Sequence, residues 1–208
     1  MAKLVFVHGW GFDPSFWDEI IPAFCDHDVQ CIDLGFYGNE KTDLPDEAVY
    51  ITHSMGLAWV LQNANQINGL IAINGFTKFC QADDWPAGVP ERMLTRMIRQ
   101  FDKAPDAVWA QFMTNSGVND PVWSDTADIQ GMKEGLACLL NWDVRDLYTS
   151  LQCPKMILSS RNDQIVPEKL SLAAFPEDII WYKEANHVLV LNQAGETIRH
   201  IQRFLDSL

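Results

Sequence analysis

Six short runs of apolar residues recur along this chain, and each is long enough for one β-strand. They read LVFVH, VQCID, AVYIT, GLIAIN, KMILSS and IIWY, at residues 4–8, 29–33, 48–52, 69–74, 155–160 and 179–182. Each run is nearly continuous in hydrophobicity, as expected for a strand that is buried on both faces. Amphipathic segments with helical patterning, such as 14–24 and 54–66, separate the runs. Strands and helices in alternation predict a mostly parallel α/β sheet flanked by helices.

One region interrupts this alternation. Residues 77–148 contain only helical patterns, broken by segments rich in proline, glycine and aspartate. We therefore expect a core formed by 1–76 and 149–208, with 77–148 inserted as a helical cap, in one compact domain. Open α/β sheets bind ligands at the carboxyl ends of their strands, where such an insertion would lie. Four tryptophans of the insertion would either fill its interior or wall a substrate pocket: Trp85, Trp109, Trp123 and Trp142.

The chain carries a formal net charge of -13 over 208 residues, which disfavours binding to nucleic acid or to an anionic membrane. No apolar run approaches the roughly 18 residues that a membrane-spanning helix needs, and the N-terminal segment lacks a secretory signal. The five cysteines are widely spaced and show no zinc-binding pattern. We expect a cytoplasmic protein with reduced thiols, no metal site and no membrane partner.

The segment YITHSMG, residues 50–56, predicts a nucleophilic serine. Ser54 follows a predicted strand and precedes a helical segment, as in the corner motif G-x-S-x-G, where a tight turn exposes the hydroxyl. Thr52 replaces the first glycine of that motif, and Gly56 retains the second. The first glycine aids packing rather than chemistry, so we expect a working serine. Its hydroxyl becomes a strong nucleophile only when a base removes the proton, which requires a histidine and an orienting carboxylate.

His187 is the best candidate for that base among the five histidines. It follows the last predicted strand and precedes the C-terminal helical segment, which is where the serine-corner hydrolases carry theirs. Asp163 comes directly after the strand 155–160 and would orient the base. The chain order serine, acid, histidine is the one that accompanies this motif. The other histidines are expected at the surface, beside the serine, or after the first strand: His27, His200, His53 and His8.

The segment HGWG, residues 8–11, is expected to supply an oxyanion hole. Gly9 and Gly11 allow a sharp turn that directs the Trp10 backbone N–H into the site. Together with the Met55 N–H, this group would stabilise negative charge on the substrate oxygen. A dinucleotide-binding loop would need a third glycine where this chain has Pro14, so we expect no nucleotide, and no other cofactor is indicated.

These motifs resemble those of the α/β-hydrolases, and more narrowly the BioH-type pimeloyl-ACP methyl ester esterases of biotin synthesis. HGWG with the following FW pair, DDWPAGVP, DVRDLYTSLQCPKMIL and NDQIVP resemble that family in order and spacing over most of the chain. The resemblance implies an α/β-hydrolase fold, trimmed at its N-terminus because the chain starts at the strand before HGWG. It also implies a serine esterase that removes the methyl group from a pimeloyl chain carried by acyl carrier protein.

The matching positions imply a role for each site residue. The nucleophile, the base and its orienting acid would be Ser54, His187 and Asp163. Substrate contacts, with the two oxyanion donors among them, would come from Trp10, Met55, Phe112 and Met113. Ala194 departs from the pattern, since the family often has a proline seven residues after the histidine.

Four basic residues are spaced four, three and four apart in the cap segment ERMLTRMIRQFDK and so share one face of a predicted helix: Arg92, Arg96, Arg99 and Lys103. On an acidic protein this stripe offers a docking surface for the acidic acyl carrier protein, or for its phosphopantetheine phosphate. The alternative is an ordinary solvated helix face, with Glu91 and Asp102 nearby.

The resemblance favours a carrier-dependent carboxylesterase, and two alternatives stay open. A general carboxylesterase would use the same triad on small esters of short acyl chains, with no carrier partner. A hydrolase-fold protein without catalysis would only bind a ligand or partner, and Thr52 and the expected trimming of the N-terminus support it.

Overall fold

The computed structural model describes residues 3–176 and 178–208. Its strands are β1 (Lys3–Val7), β2 (Asp28–Ile32), β3 (Glu47–His53), β4 (Gln66–Ile73), β5 (Lys155–Ser160) and β6 (Ile179–Tyr182). Within the described residues these six strands form one parallel sheet in the order β2-β1-β3-β4-β5-β6. Each strand overlaps one of the predicted apolar runs, so the predicted parallel α/β sheet is confirmed.

The side chains of β1 show why the strands are continuous in hydrophobicity. Leu4 and Phe6 pack into the core on one face of the sheet, whereas Val5 and Val7 pack into the core on the other. All four are fully buried. Because helices cover both faces, the polar side chains of the candidate site come from the ends of the strands and from the loops that follow them.

The helices are α1 (Met55–Asn63), α2 (Glu91–Phe101), α3 (Pro105–Ser116), α4 (Ile129–Asn141), α5 (Arg145–Ser150), α6 (Glu168–Ala174), α7 (Leu189–Asn192) and α8 (Ala194–Leu205). The predicted helical segment 14–24 instead forms two short 3-10 helices, Pro14–Trp17 and Ile21–Phe24. Pro22 lacks the backbone N–H that would continue a helix from the preceding turn. No helix in the described ranges is both long and apolar enough to cross a membrane.

Helices α2 to α5 begin between β4 and β5, and no strand occurs within residues 77–148. Helix α2 packs against both α3 and α4. Two ion pairs join the beginning and the end of this segment: Lys78 Nζ lies 2.9 Å from Asp143 Oδ2, and Arg145 Nη2 lies 2.7 Å from Asp84 Oδ2. We propose that residues 77–148, called the cap segment below, form a cap over the core.

Candidate active site

Ser54 lies in a sharp turn between β3 and α1. Its φ of 55° and ψ of -124° are strained for a residue with a side chain. Its backbone N–H donates to the Ile73 carbonyl over 3.0 Å. Gly56 permits this turn, because a Cβ there would lie 2.5 Å from the carbonyl oxygen of Val7 and 2.8 Å from that of His8. The turn therefore has the geometry of a strand-to-helix nucleophile corner.

Thr52 occupies the first glycine position of the corner without leaving a polar group unsatisfied. It is fully buried, and its hydroxyl donates to the Ile71 carbonyl on the neighbouring strand over 3.0 Å. A buried hydroxyl needs such a partner to avoid a desolvation penalty. The threonine is therefore accommodated within the sheet and gives no structural reason for an inactive corner.

Asp163 and His187 form a buried pair. Oδ2 of Asp163 lies 2.7 Å from Nδ1 of His187, and neither side chain is exposed to solvent. The other carboxylate oxygen, Oδ1, accepts the backbone N–H groups of Ile165 and Val166 over 2.7 and 2.8 Å. These bonds orient the carboxylate, which in turn selects the His187 tautomer that carries its proton on Nδ1.

The second ring nitrogen of His187, Nε2, is buried and has no hydrogen-bond partner within residues 3–176 and 178–208. It therefore makes no hydrogen bond to Ser54 in this structure. The ring centroid of Phe112 lies 6.4 Å from that of His187, and Phe112 lines the same cavity as Ser54. Hydrogen bonds between nucleophile and base are often long before substrate binds. The unprotonated Nε2 is available to accept a proton.

The HGWG segment lies directly against the serine corner. A Cβ on Gly9 would lie 2.9 Å from the Ser54 Cβ, so this close approach requires glycine. Gly11 has a φ of 74°, in the left-handed region that favours glycine. The Trp10 N–H donates to no acceptor in the described part of the chain, and Met55, as the first residue of α1, lacks a helical acceptor for its own N–H. Both groups are available to bind an oxyanion.

A cavity of about 610 Å³ opens beside Ser54. Core and cap segment both line it with mostly apolar side chains, among them Trp10, Phe76, Phe79, Met97, Phe112 and Leu136. Its polar side chains are Ser54, several amides and two lysines, and no acidic residue of the described chain lines it. The volume and the apolar lining suit an acyl chain.

The four cap tryptophans do not belong to this lining in the described structure. Trp109 instead donates its indole N–H to the Gly11 carbonyl over 3.1 Å, and the Tyr37 hydroxyl donates to the same oxygen over 2.8 Å. Trp123 packs edge-on against Trp109, with ring centroids 5.5 Å apart. Trp109 of the cap segment and Tyr37 of the core thus both hold the HGWG segment at the Gly11 carbonyl.

Two of the expected substrate contacts lie elsewhere. Met113 is buried with its methyl group against Gly11 and is not part of the described cavity lining. It follows Phe112 on α3, and successive helical residues are rotated by about 100°, so of these two residues Phe112 faces the cavity and Met113 does not. The Met55 side chain lines a separate cavity beside α4, so its expected contact with substrate is limited to the backbone N–H.

The four residues of the predicted basic stripe lie on α2 and just after it. Arg92, Arg96 and Arg99 lie exposed along α2, and none of them forms an ion pair with another described residue. Lys103 follows the end of α2 at Phe101 and lines the cavity beside Ser54. Lys103 therefore lies just beyond the end of the helix that carries the three arginines.

Sequence reasoning missed two polar contacts to the base. The Asn74 side chain donates to the His187 carbonyl over 2.7 Å, and His53 Nε2 lies 3.0 Å from the same oxygen. Asn74 directly follows β4, and a polar residue after a buried strand was the signal that could have identified it. The contact of His53 could not have been identified in this way, because no local sequence pattern relates position 53 to position 187.

Comparisons with known proteins are consistent with this geometry. The sequence profile of the alpha/beta hydrolase family matches residues 4–200. A pimeloyl-[acyl-carrier protein] methyl ester esterase from Legionella pneumophila is 27% identical over 186 residues, covering 80% of this chain and 77% of that protein.

Solved structures resemble the chain over nearly its whole length. An esterase from Exiguobacterium antarcticum has a TM-score of 0.84 at 14% identity, covering 99% of this chain and 92% of that one. A bromoperoxidase from Bacillus anthracis has a TM-score of 0.83 at 16% identity, with the same coverage of 99% and 92%. At identities this low, the two likenesses concern the fold alone.

Proposed function

Because the chain belongs to the α/β hydrolase family, we propose that it is a carboxylic ester hydrolase that works through an acyl-enzyme on Ser54. His187 Nε2 removes the hydroxyl proton as Ser54 Oγ attacks the ester carbonyl. The N–H groups of Trp10 and Met55 bind the oxyanion, and His187 then gives the proton to the leaving alcohol. The same imidazole deprotonates a water, which attacks the acyl-enzyme; His187 then returns the proton to Ser54 Oγ as the acyl–oxygen bond breaks and the acid is released.

The buried pair of Asp163 and His187 is the observation that carries this proposal. The 2.7 Å contact between Oδ2 and Nδ1 leaves Nε2 as the nitrogen that accepts a proton. Burying two ionisable groups opposes folding, and apolar side chains would fill the same volume without that penalty. The pair is therefore better explained by catalysis, in which the carboxylate stabilises the imidazolium that forms during attack.

The finer part of the proposal concerns the substrate, which we assign as the methyl ester of pimeloyl-acyl carrier protein, consumed in biotin biosynthesis. The apolar cavity beside Ser54 supports an acyl chain. The Legionella relative bears the name of that activity. The three exposed arginines of α2, Arg92, Arg96 and Arg99, support an acidic carrier as the group that remains outside the cavity.

Covalent labelling tests the chemistry first. We expect intact-mass analysis after exposure to a fluorophosphonate to show a single adduct on the native protein. Ser54→Ala should abolish that adduct, whereas Ser150→Ala, which removes an exposed serine, should retain it. A folded native protein that takes no adduct would contradict the esterase proposal and favour a hydrolase-fold binding protein.

A general carboxylesterase of small esters is the second candidate, and the formal net charge of -13 favours it because an acidic carrier would be repelled. Comparing kcat/KM for a methyl ester on acyl carrier protein with that for the same acyl chain as a free methyl ester separates the two. We expect the carrier-bound ester to be preferred by about tenfold or more, a difference of about 1.4 kcal/mol. Equal values, or a preference for short free esters, would identify the general esterase.

A further inference from the structure

Polar side chains at the ends of three strands form hydrogen bonds with the backbone of His187 and of its neighbour Asn186. His53, the last residue of β3, and Asn74, just after β4, lie 3.0 and 2.7 Å from the His187 carbonyl oxygen. Ser160, the last residue of β5, donates its hydroxyl to the Asn186 carbonyl over 2.6 Å. Asn74 Oδ1 also accepts the Ser160 N–H over 2.8 Å, which joins two of these strand ends. The consecutive carbonyls of Asn186 and His187 are therefore both fixed by side chains from the ends of sheet strands.

His53 is fully buried in an aromatic environment. Its ring stacks on Phe16 with centroids 4.4 Å apart and meets Phe12 edge-on at 5.6 Å. A carbonyl oxygen can only accept, so the proton of the neutral ring is on Nε2 and His53 donates to His187. Burial, reinforced by the nearby His187, holds the pKa of His53 well below its ordinary value, so the ring stays neutral.

We propose that His53 is a positioning residue for the base: with Asn74 it fixes the His187 carbonyl, while Asp163 fixes Nδ1 of the ring. An imidazole that is held at its main chain and at one ring nitrogen has little freedom in where its other nitrogen points. A displacement of about 1 Å in a reacting group lowers rates steeply, so this restraint bears on turnover. The inference rests on the proposed function, since it requires His187 to act as the base.

A space-filling role alone does not account for a histidine at this position. A leucine or phenylalanine would give the same contacts with Phe12 and Phe16 and would not bury a polar nitrogen. His53 Nδ1 is buried without a partner among the described residues, which opposes folding. The hydrogen bond to the His187 carbonyl, 134 residues away, requires a side chain with a donor, which leucine and phenylalanine lack.

Two substitutions distinguish the contribution of the hydrogen-bond donor from that of the aromatic ring. His53→Phe keeps an aromatic ring for the stack on Phe16 and removes the donor. His53→Gln can place an amide N–H near the position of Nε2. We expect His53→Phe to lower kcat about 10- to 100-fold with KM changed less than about twofold, and His53→Gln to recover most of kcat. Phe16→Leu, which disturbs the same packing without touching the His187 carbonyl, should lower the melting temperature and leave kcat close to that of the native enzyme.

The readouts keep this inference distinct from the proposed function. Fluorophosphonate titration measures the concentration of active sites in each variant, so that kcat is compared per active site. If native protein takes no label, the proposed function fails, and the positioning role fails with it. If native protein is labelled and turns over ester, but His53→Phe keeps native kcat per site, His53 is structural and the inference alone is overturned. Should His53→Phe not fold, Asn74→Asp, which keeps an acceptor for the Ser160 N–H and tolerates the φ of 46°, is judged by the same kcat and KM criteria.

Discussion

The indole Nε1–H of Trp10 donates to the Met132 carbonyl on α4 over 2.7 Å, and this bond ties the oxyanion loop to the cap segment. The helix comes this close because Gly135 has no side chain there: a Cβ would lie 2.7 Å from Trp10 Cδ1. Since the backbone N–H of Trp10 is a proposed oxyanion donor, the direction in which it points depends on where α4 lies. The cap segment thus bears on the chemistry as well as on the shape of the pocket.

Trp10→Phe should therefore slow turnover. The substitution keeps an aromatic wall for the cavity but removes the bond to Met132, which frees the loop that carries the oxyanion donor. We expect kcat to fall about tenfold or more, approaching the loss seen when an oxyanion donor itself is removed. Trp181→Phe, a matched change on β6 away from the loop, should leave kcat unchanged. Steady-state kinetics on one ester checks both, and equal kcat in the two variants would show that the bond is dispensable.

Gly56→Ala should destabilise the fold strongly. The new Cβ would lie 2.5 Å from the Val7 carbonyl oxygen and 2.8 Å from that of His8, and the backbone at the end of β1, which lies between β2 and β3, cannot move aside cheaply. We expect a loss of about 3 kcal/mol or more in the free energy of unfolding. Gly195→Ala is the control, because its Cβ meets nothing closer than 3.9 Å in α8, and it should be neutral or stabilising by about 0.5–1 kcal/mol. Urea unfolding distinguishes the two outcomes.

His53 should make stability fall between neutral and mildly acidic pH. Its pKa in the folded protein is lowered, chiefly by burial, so below pH 6.5 the unfolded chain binds a proton that the folded chain does not. Stability from this residue is thus present above pH 6.5 and lost as the pH falls, at up to about 1.4 kcal/mol per pH unit. Between pH 7 and 5.5, native protein should lose about 1 kcal/mol more than His53→Gln. Parallel stability curves from urea unfolding would mean that His53 is protonated in the fold.

Reversing the charge of Arg92, Arg96 and Arg99 should impair only the carrier-bound substrate. Replacing all three by glutamate adds repulsion to an acidic carrier, so kcat/KM for the carrier-bound ester should fall about tenfold or more at low salt. The same acyl chain as a free methyl ester should be hydrolysed within about twofold of the native rate.

The matched control for this experiment makes the same change in net charge elsewhere: Lys183→Glu, Arg199→Glu and Arg203→Glu, all at exposed positions away from α2. If both triple variants lose activity on the carrier-bound ester equally, the effect comes from net charge and not from a docking surface. Equal loss of both substrates in the α2 variant would reject docking as well.

Arg145 should contribute to stability by joining the two ends of the cap segment. It pairs with Asp84 and Asp143, each over 2.7 Å, and its guanidinium lies 5.0 Å from the ring centroid of Trp85. The ion pairs are partly exposed and so screened by solvent, which keeps the effect modest: Arg145→Gln should lower the melting temperature by about 2–4 °C. Arg92→Gln, which removes an exposed arginine without an ion pair to another described residue, should leave it unchanged.

The local sequence pattern is enough to predict most of the fold and the types of side chain in the candidate site. The six apolar runs predict all six described strands because burial on both faces of a parallel sheet excludes polar residues from each strand. Polar groups emerge at the strand ends after such runs, and this pattern predicts Ser54, Asp163 and His187 as the candidate catalytic residues. The roles of the glycines in HGWG and in the serine corner are likewise predictable, since close backbone approach and positive φ are compatible with few residue types other than glycine.

Only the tertiary structure decided which distant groups meet. The bond between His53 and His187, the bond from Trp10 to α4, and the rotation of Met113 away from the cavity each depend on how separate elements pack together. The position of Lys103, which follows the end of α2 at Phe101 and lines the cavity beside Ser54, likewise depends on this packing. A sequence records burial and turn geometry residue by residue, whereas contacts between positions more than a hundred residues apart arise only once the whole chain has packed.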